Sequence, residues 1–367
     1  MATPTYWDYL RLDKLLELQG GFDGEGEVES PDELHFIVVH QVYELWFKLL
    51  LRSLRLARNR LAEPRVSEET IPVVVHHLRR ACMVLDLAVH HWKLVEMLSP
   101  QDFLAFRDKL TPASGFQSFQ VREVEMLMGL DEAQRIAYGN VRPIQHIREL
   151  GRGTPAGDYA RARIEAVQAE GTFLAALNEW LHRTPIHGST PADPGDEAVV
   201  VGFIDAYLEE ASKLSSDSFE RLIEALGERA RPELVERFAS TREAAATFLH
   251  ARDVDPAVQA RVRRIRASVL FVESYRDLPL LAWPRLLLDV VVEMEQGLVS
   301  FRHAHARMVE RVIGRRVGTG GSGGVEYLDR TSAYRVFRDL WAIRTVLLPK
   351  DRLPPLRNAE KYGFAER

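Results

Sequence analysis

From Ser30 to about Leu61 nothing in the chain stops an α-helix, and that run narrows the possible folds more than any other feature. Ser30-Pro31-Asp32-Glu33 sets a capping serine before a proline at the first helical position, with a glutamate three residues past the cap. Together these satisfy or remove the orphan amides of a helix start. The following segment, DELHFIVVHQVYELWFKLLL (32–51), repeats its apolar residues at helical spacing and contains no glycine or proline. At 1.5 Å per residue such a helix is roughly 45 Å long.

The same periodicity predicts helices over 68–98, 99–110, 116–130, 158–182, 196–213, 217–229, 232–250, 256–275, 284–313 and 332–346. No convincing run alternates with the period of a strand. The expected fold is all-α: a helical bundle forming a single domain over 1–367. The stretch Thr184–Asp196 (TPIHGSTPADPGD) is rich in proline, glycine and small polar residues and resembles a linker. It suggests an inserted helical region between about 152 and 262.

Hydrophobic residues make up 46% of the chain and charged residues 28%, which suits a packed globular protein and not a disordered one. A formal charge of −5 argues against nucleic acid or an anionic membrane surface as partner. The basic run Arg261–Arg266 (RVRRIR) falls in a helical pattern and reads as a solvated face. Cys82 is the only cysteine, so an intramolecular disulfide and a CxxC metal site are both excluded. Its apolar setting, RRACMVLDLAV, predicts a buried, inert thiol. The start, MATPTYWDYLRLDK, lacks the basic-then-apolar pattern of a signal peptide. Charges break every apolar stretch of the ~18 residues needed to span a membrane. These features predict a soluble, cytoplasmic protein.

Two histidines stand on apolar helical faces. Met294, Leu298, Phe301, Met308 and Val312 form one stripe of helix 284–313, and His305 fills the gap between Phe301 and Met308. His303 lies about 200° away around the same helix, so the two cannot clamp one metal ion. His40 shares its face with Phe36, Tyr43 and Phe47, at i−4, i+3 and i+7. That face could stack a planar ligand and exchange one hydrogen bond with it. His40 could equally be a core histidine bonded to a backbone carbonyl, and Glu44 at i+4 is a candidate partner.

Arg107 follows Phe103 on the short helix before FRDKLTPASGFQSFQ (106–120) turns at Ser114-Gly115. A guanidinium on an apolar face needs an anion. A substrate carboxylate, a structural ion pair, or a snorkelling side chain would each meet that need. Glycine at 115 would let a ligand approach the backbone closely. The loop Gly318–Gly324 (GTGGSGG) lacks the Gly-Lys-Ser/Thr of a phosphate loop. It reads either as a flexible linker or as a lid on which Thr319 offers its hydroxyl. No Ser-His-Asp triad or HExxH pattern is present, and the pairs His76-His77 and His90-His91 diverge around their helix. Two imidazoles, a lone cation and a flexible polar loop together suit a haem pocket that receives a zwitterionic amino acid.

These residues sit in blocks that resemble, in order, those of the tryptophan 2,3-dioxygenase family: YWDYLRLDKLLELQ, HQVYELWFKLLL, FRDKLTPASGFQS, FRHAH…VERVIG, GTGGSGGVEYL and FRDLWAIRT. The resemblance covers about 6–20, 32–61, 95–130 and 273–347, and leaves 152–262 unmatched. It implies an all-helical protein carrying haem b and its iron, assembled as a homotetramer. In that family pattern His305 takes the place of the proximal iron ligand and His40 that of the distal histidine, which bonds the indole N–H. Phe36 and Phe103 fall where aromatic residues line the substrate, Arg107 where its carboxylate is paired, and Ser114 and Gly115 at the turn above the haem. Thr319 matches the residue touching the substrate's ammonium and carboxylate groups. Tyr6 and Tyr9 match tyrosines that reach a neighbouring subunit's site. The activity so implied is insertion of both atoms of O2 into the indole C2–C3 bond of L-tryptophan, giving N-formylkynurenine.

The chain departs from that pattern in two places. Val42-Tyr43 follows the distal His-Gln where small polar residues are usual. The proximal run reads Phe301-Arg302-His303-Ala304-His305 in place of a Trp-Arg-aromatic-Arg-His sequence. An offshoot that adds one oxygen atom to another indole amino acid, giving a 2-oxindole, would keep every residue named. A non-catalytic haem-binding sensor is a third reading, against which Arg107 and Thr319 speak.

Overall fold

The computed structural model describes residues 3, 5–24, 26–137, 142–150, 152–319 and 323–363. The architecture is all-α. In chain order the helices are α1 (Tyr6–Leu10), α2 (Leu12–Leu15), α3 (Pro31–Leu61), α4 (Thr70–Val95), α5 (Pro100–Leu110), α6 (Phe119–Met128), α7 (Pro143–Glu149) and α8 (Pro155–Ala169). They continue with α9 (Phe173–Arg183), α10 (Asp196–Leu226), α11 (Arg231–Leu249), α12 (Pro256–Ser274), α13 (Ala282–Ile313), α14 (Val325–Thr331) and α15 (Arg338–Val346). Among the described residues the only strands are a two-residue parallel pair, Leu18–Gln19 with Gly26–Glu27.

The chain divides into two compact units. The first comprises residues 1–56, 77–173 and 293–336, and the second 57–76, 174–292 and 337–367. The 152–262 stretch is shared between them, with 152–173 in the first unit and the rest in the second.

In the first unit, α3, α4 and α13 pack through aromatic and polar bonds. The Tyr43 hydroxyl on α3 donates to the Ala88 carbonyl on α4 at 3.0 Å, and the His35 ring lies 2.7 Å from the Leu94 carbonyl. Gly297 lets α13 approach α4 closely, since a Cβ there would stand 3.2 Å from that of Leu85. Buried Glu123 on α6 accepts from Arg55 of α3 at 3.2 Å and Arg163 of α8 at 2.7 Å, joining three helices through one carboxylate. The length and hydropathy of α3 would let it cross a membrane. Of its apolar residues, Val39, Leu50, Leu51 and Leu54 are buried and Val38 and Leu45 are exposed.

In the second unit an aromatic core of Phe203, Tyr207, Phe271 and Tyr275 surrounds His187. The basic run on α12 departs from the expected solvated face at Arg264 and Arg266, while Arg261 is exposed. Arg264 is buried, bonds both oxygens of Asp196 at 2.7 Å and also donates to the carbonyls of His182, Thr184 and Ser189. Arg266 is buried between Asp253 and Asp339 and lies 4.2 Å from the Phe248 ring centre. Every residue of α12 from Arg264 to Ser274 is buried, so both guanidiniums need full sets of acceptors. Cys82 in the first unit is half-buried, and that burial pushes its thiol up to about 12.

The helix boundaries differ from expectation where local chemistry is ambiguous. The 158–182 run breaks into α8 and α9 at Glu170-Gly171-Thr172. Conversely, the serine-rich run after 213 does not interrupt α10. There the Ser216 hydroxyl bonds back to the Ser212 carbonyl at 3.0 Å, which serves the helix without capping it. Helices α7 and α14 arise in stretches where periodicity predicted none, and α15 begins at Arg338 rather than near 332.

Candidate active site

Within the first unit α3, α4, α5, α13, α14 and two loops line a cavity of about 130 Å³. Its polar side chains are His40, Arg107, Ser114, His305 and Thr319. The rest of the wall is glycine or apolar and includes Phe36, Phe103, Phe116, Met308 and Leu328. Among the described residues no acidic side chain lines it. The structure therefore brings together nine residues singled out in the sequence: Phe36, His40, Phe103, Arg107, Ser114, Gly115, His305, Gly318 and Thr319. Tyr6 and Tyr9 are 69% and 86% exposed and do not line it.

His40 and Phe36 are one turn apart on α3, their ring centres 4.0 Å apart. The His40 Nδ1 lies 2.7 Å from the Phe36 carbonyl, and because a carbonyl only accepts, Nδ1 carries the proton. Nε2 is then left as an acceptor. Glu44 is not the partner of His40; its side chain and carbonyl accept from Gln120 of α6 at 2.8 and 2.7 Å. Burial lowers the His40 pKa, partly offset by the Phe36 bond and reinforced by His91.

His305 lines the cavity from α13, whereas His303 is exposed. Burial above all, then the charges of His40 and Arg122, push the His305 imidazole down to about 3, so it stays neutral. Its ring makes no hydrogen bond among the described residues and lies flat on Trp92, with centres 4.5 Å apart and planes 2° apart. A neutral, unbonded imidazole opening on an apolar cavity can ligate a metal ion.

Arg107 is carried by α5, whose start is capped by the Ser99 hydroxyl accepting from the Asp102 amide at 3.2 Å. A 3.0 Å pair between Lys109 and buried Glu33 ties this helix to α3. One Arg107 Nη donates to the Val317 carbonyl at 2.5 Å, while its Nε is enclosed without an acceptor. No acidic residue among those described pairs with it. Thr319 donates to the Ala113 carbonyl at 2.6 Å, so the described part of the glycine loop is fastened to the turn after α5. Gly320, Gly321 and Ser322 lie outside the described residues. Ser114 caps its own turn by accepting from the Phe116 amide at 3.4 Å, and a Cβ on Gly115 would meet nothing within 4 Å.

Two features near the cavity gave no sequence signal. Trp92 belongs to an apolar run and looks like ordinary core. Glu125 on α6 is buried among three arginines: Arg122 at 2.8 Å, Arg302 at 2.8 Å and Arg135. Arg302 precedes His305 by one turn of α13, so this carboxylate fastens the helix that bears the imidazole to α6. The arginines hold the Glu125 carboxyl well below the usual carboxylate range despite its burial.

The cavity can thus hold a planar group between aromatic walls, ligate a metal on one side, accept an N–H at His40 and receive an anion at Arg107. Comparison with known proteins gives a consistent picture. Residues 1–347 match the family model described as tryptophan 2,3-dioxygenase. The chain is similar to the tryptophan 2,3-dioxygenase of Sorangium cellulosum, 45% identical over 98% of this chain and 87% of that one. It is likewise similar to tryptophan 2,3-dioxygenase 2 of Ralstonia nicotianae, 46% identical over 100% and 99% of the two chains. A tryptophan 2,3-dioxygenase-like protein of Xanthomonas campestris pv. campestris is 45% identical over 73% of this chain and 98% of its own.

Proposed function

The chain belongs to the tryptophan 2,3-dioxygenase family, and from that premise we propose that it binds haem b through His305 and uses dioxygen to open the indole ring of L-tryptophan, yielding N-formylkynurenine. One observation carries the reading: the imidazole of His305 and the guanidinium of Arg107, neither with an acidic partner among the described residues, open onto the same cavity. The donor set fits the cofactor, since a neutral imidazole is the usual protein ligand of haem iron and the glycine at 115 leaves the wall open.

Haem, when bound, supplies the iron that activates dioxygen. The protein's own contribution is binding and orientation. Arg107 pairs with the substrate carboxylate through a charge-assisted bond. Nε2 of His40, left as an acceptor by the Phe36 bond, takes the indole N–H. Phe36 and Phe103 flank the indole, and Thr319 exchanges its Ala113 bond for one to the amino acid backbone. Ser114 and Gly115 would line the haem from the turn after α5. Apolar residues around the cavity keep water from competing for the reacting ring.

The same reading places Tyr6 and Tyr9, exposed in one protomer, against a neighbouring protomer's site in a homotetramer. It sets the enzyme in the cytoplasm, where a single thiol needs no disulfide partner. Haem titration of variants tests it: His305→Ala should abolish tight haem binding while His303→Ala leaves it unchanged, and the reverse pattern would refute the assignment.

A further inference from the structure

We infer that Trp92 is a positioning residue for the iron ligand: its indole face fixes the ring plane of His305. The inference rests on the proposal that His305 is that ligand. Metal-binding histidines almost always donate their second ring nitrogen to a carboxylate, carbonyl or water, and that bond fixes the ring's rotation. No carboxylate or carbonyl among the described residues bonds the His305 ring. What it has is a parallel stack on Trp92, 4.5 Å between centres with 2° between planes. Turning the imidazole about its Cβ–Cγ bond would drive its edge into the indole, so the stack does the orienting that a hydrogen bond does elsewhere.

Trp92 is itself held on all sides. It is buried on α4, against Tyr43 at 4.3 Å and Phe301 at 5.4 Å, and Tyr43 is anchored by its bond to the Ala88 carbonyl. His40 meets the same indole edge-on at 6.5 Å. One rigid ring therefore touches both cavity histidines. Its own N–H is enclosed without an acceptor, so the residue's described partners engage its ring and not its polar atom.

The test uses the full-length protein loaded with haem and reduced. Two readouts are followed: the iron–imidazole stretching band in the resonance Raman spectrum, and the rate of haem transfer to apomyoglobin. Trp92→Leu should displace or broaden the band and speed haem loss about tenfold, the upper end of what an aromatic pair is worth. Trp92→Phe keeps a flat aromatic ring while removing the N–H and the second ring of the indole, and should hold the band at its original position and width. Trp92→Met serves in place of the leucine variant if that one does not fold, with the same expected displacement. An unchanged band and transfer rate in the leucine or methionine variant would overturn the inference, as would a phenylalanine variant as perturbed as they are. A parent protein that binds haem without any iron–imidazole band would overturn the assignment of His305, and the inference with it.

Discussion

Among the described residues no carboxylate on the cavity wall balances Arg107, and the proposed function gives that role to the substrate. Arg107→Leu should weaken L-tryptophan binding about tenfold or more, the ~1.5–3 kcal/mol of a hydrogen bond to a charged group. Binding of tryptamine, which lacks the carboxylate, should not change. Titrations of the haem spectrum with both ligands check this, and an equal loss for both would assign Arg107 to the fold. Much at this scale was legible in the chain. Helical spacing alone separated His305 from His303, and the position of Arg107 beside Phe103 marked it as a cation in need of an anion. Trp92 was not legible, because a tryptophan in an apolar run looks the same whether it packs a core or orients a ligand. For His40 the sequence left a backbone carbonyl and Glu44 both open, and the Phe36 carbonyl takes the bond.

Among the elements, α6 and α13 are joined through the buried carboxylate of Glu125. Removing its charge would leave Arg122, Arg135 and Arg302 buried without their common counter-ion. Glu125→Gln should therefore destabilise the protein by about 3–5 kcal/mol, measured by urea unfolding at neutral pH. The pH dependence has a definite sign. The folded-state pKa of Glu125 lies below its unfolded value, so its contribution is complete above the ordinary carboxylate pKa of about 4.3. It is lost progressively as pH falls from there towards the folded value. The variant should lack that part of the acid sensitivity. Helix starts such as Ser30-Pro31 and Ser99-Pro100 were readable because capping is a local interaction. The Glu125 cluster was not, because its members come from residues 122–135 and from residue 302. The run on α12 misled only in part: Arg261 is exposed, but from Arg264 onward the helix is buried all round and has no polar face for periodicity to detect.

For the whole molecule, the exposed aromatic residues of α1 provide a test of assembly. Tyr9 is 86% exposed, so Tyr9→Ala should leave the unfolding midpoint nearly unchanged, as surface substitutions usually do. Its turnover should fall if the segment completes a neighbour's site. A chain lacking residues 1–10 and the Arg107→Leu chain should each be weakly active alone, yet regain activity when unfolded and reassembled together. The intact cavity of one would then receive the N-terminal segment of the other. No recovery would confine each site to one chain. The division into two units was hidden in the sequence, since α3, α4 and α13 each contribute residues to both, and the linker-like 184–196 lies wholly inside the second. The most direct test of the central claim is a single turnover of the reduced, haem-loaded protein with L-tryptophan under isotopically heavy dioxygen, read by mass spectrometry. The account predicts N-formylkynurenine carrying two heavy oxygen atoms; an indole product carrying only one, or unaltered tryptophan, would contradict it.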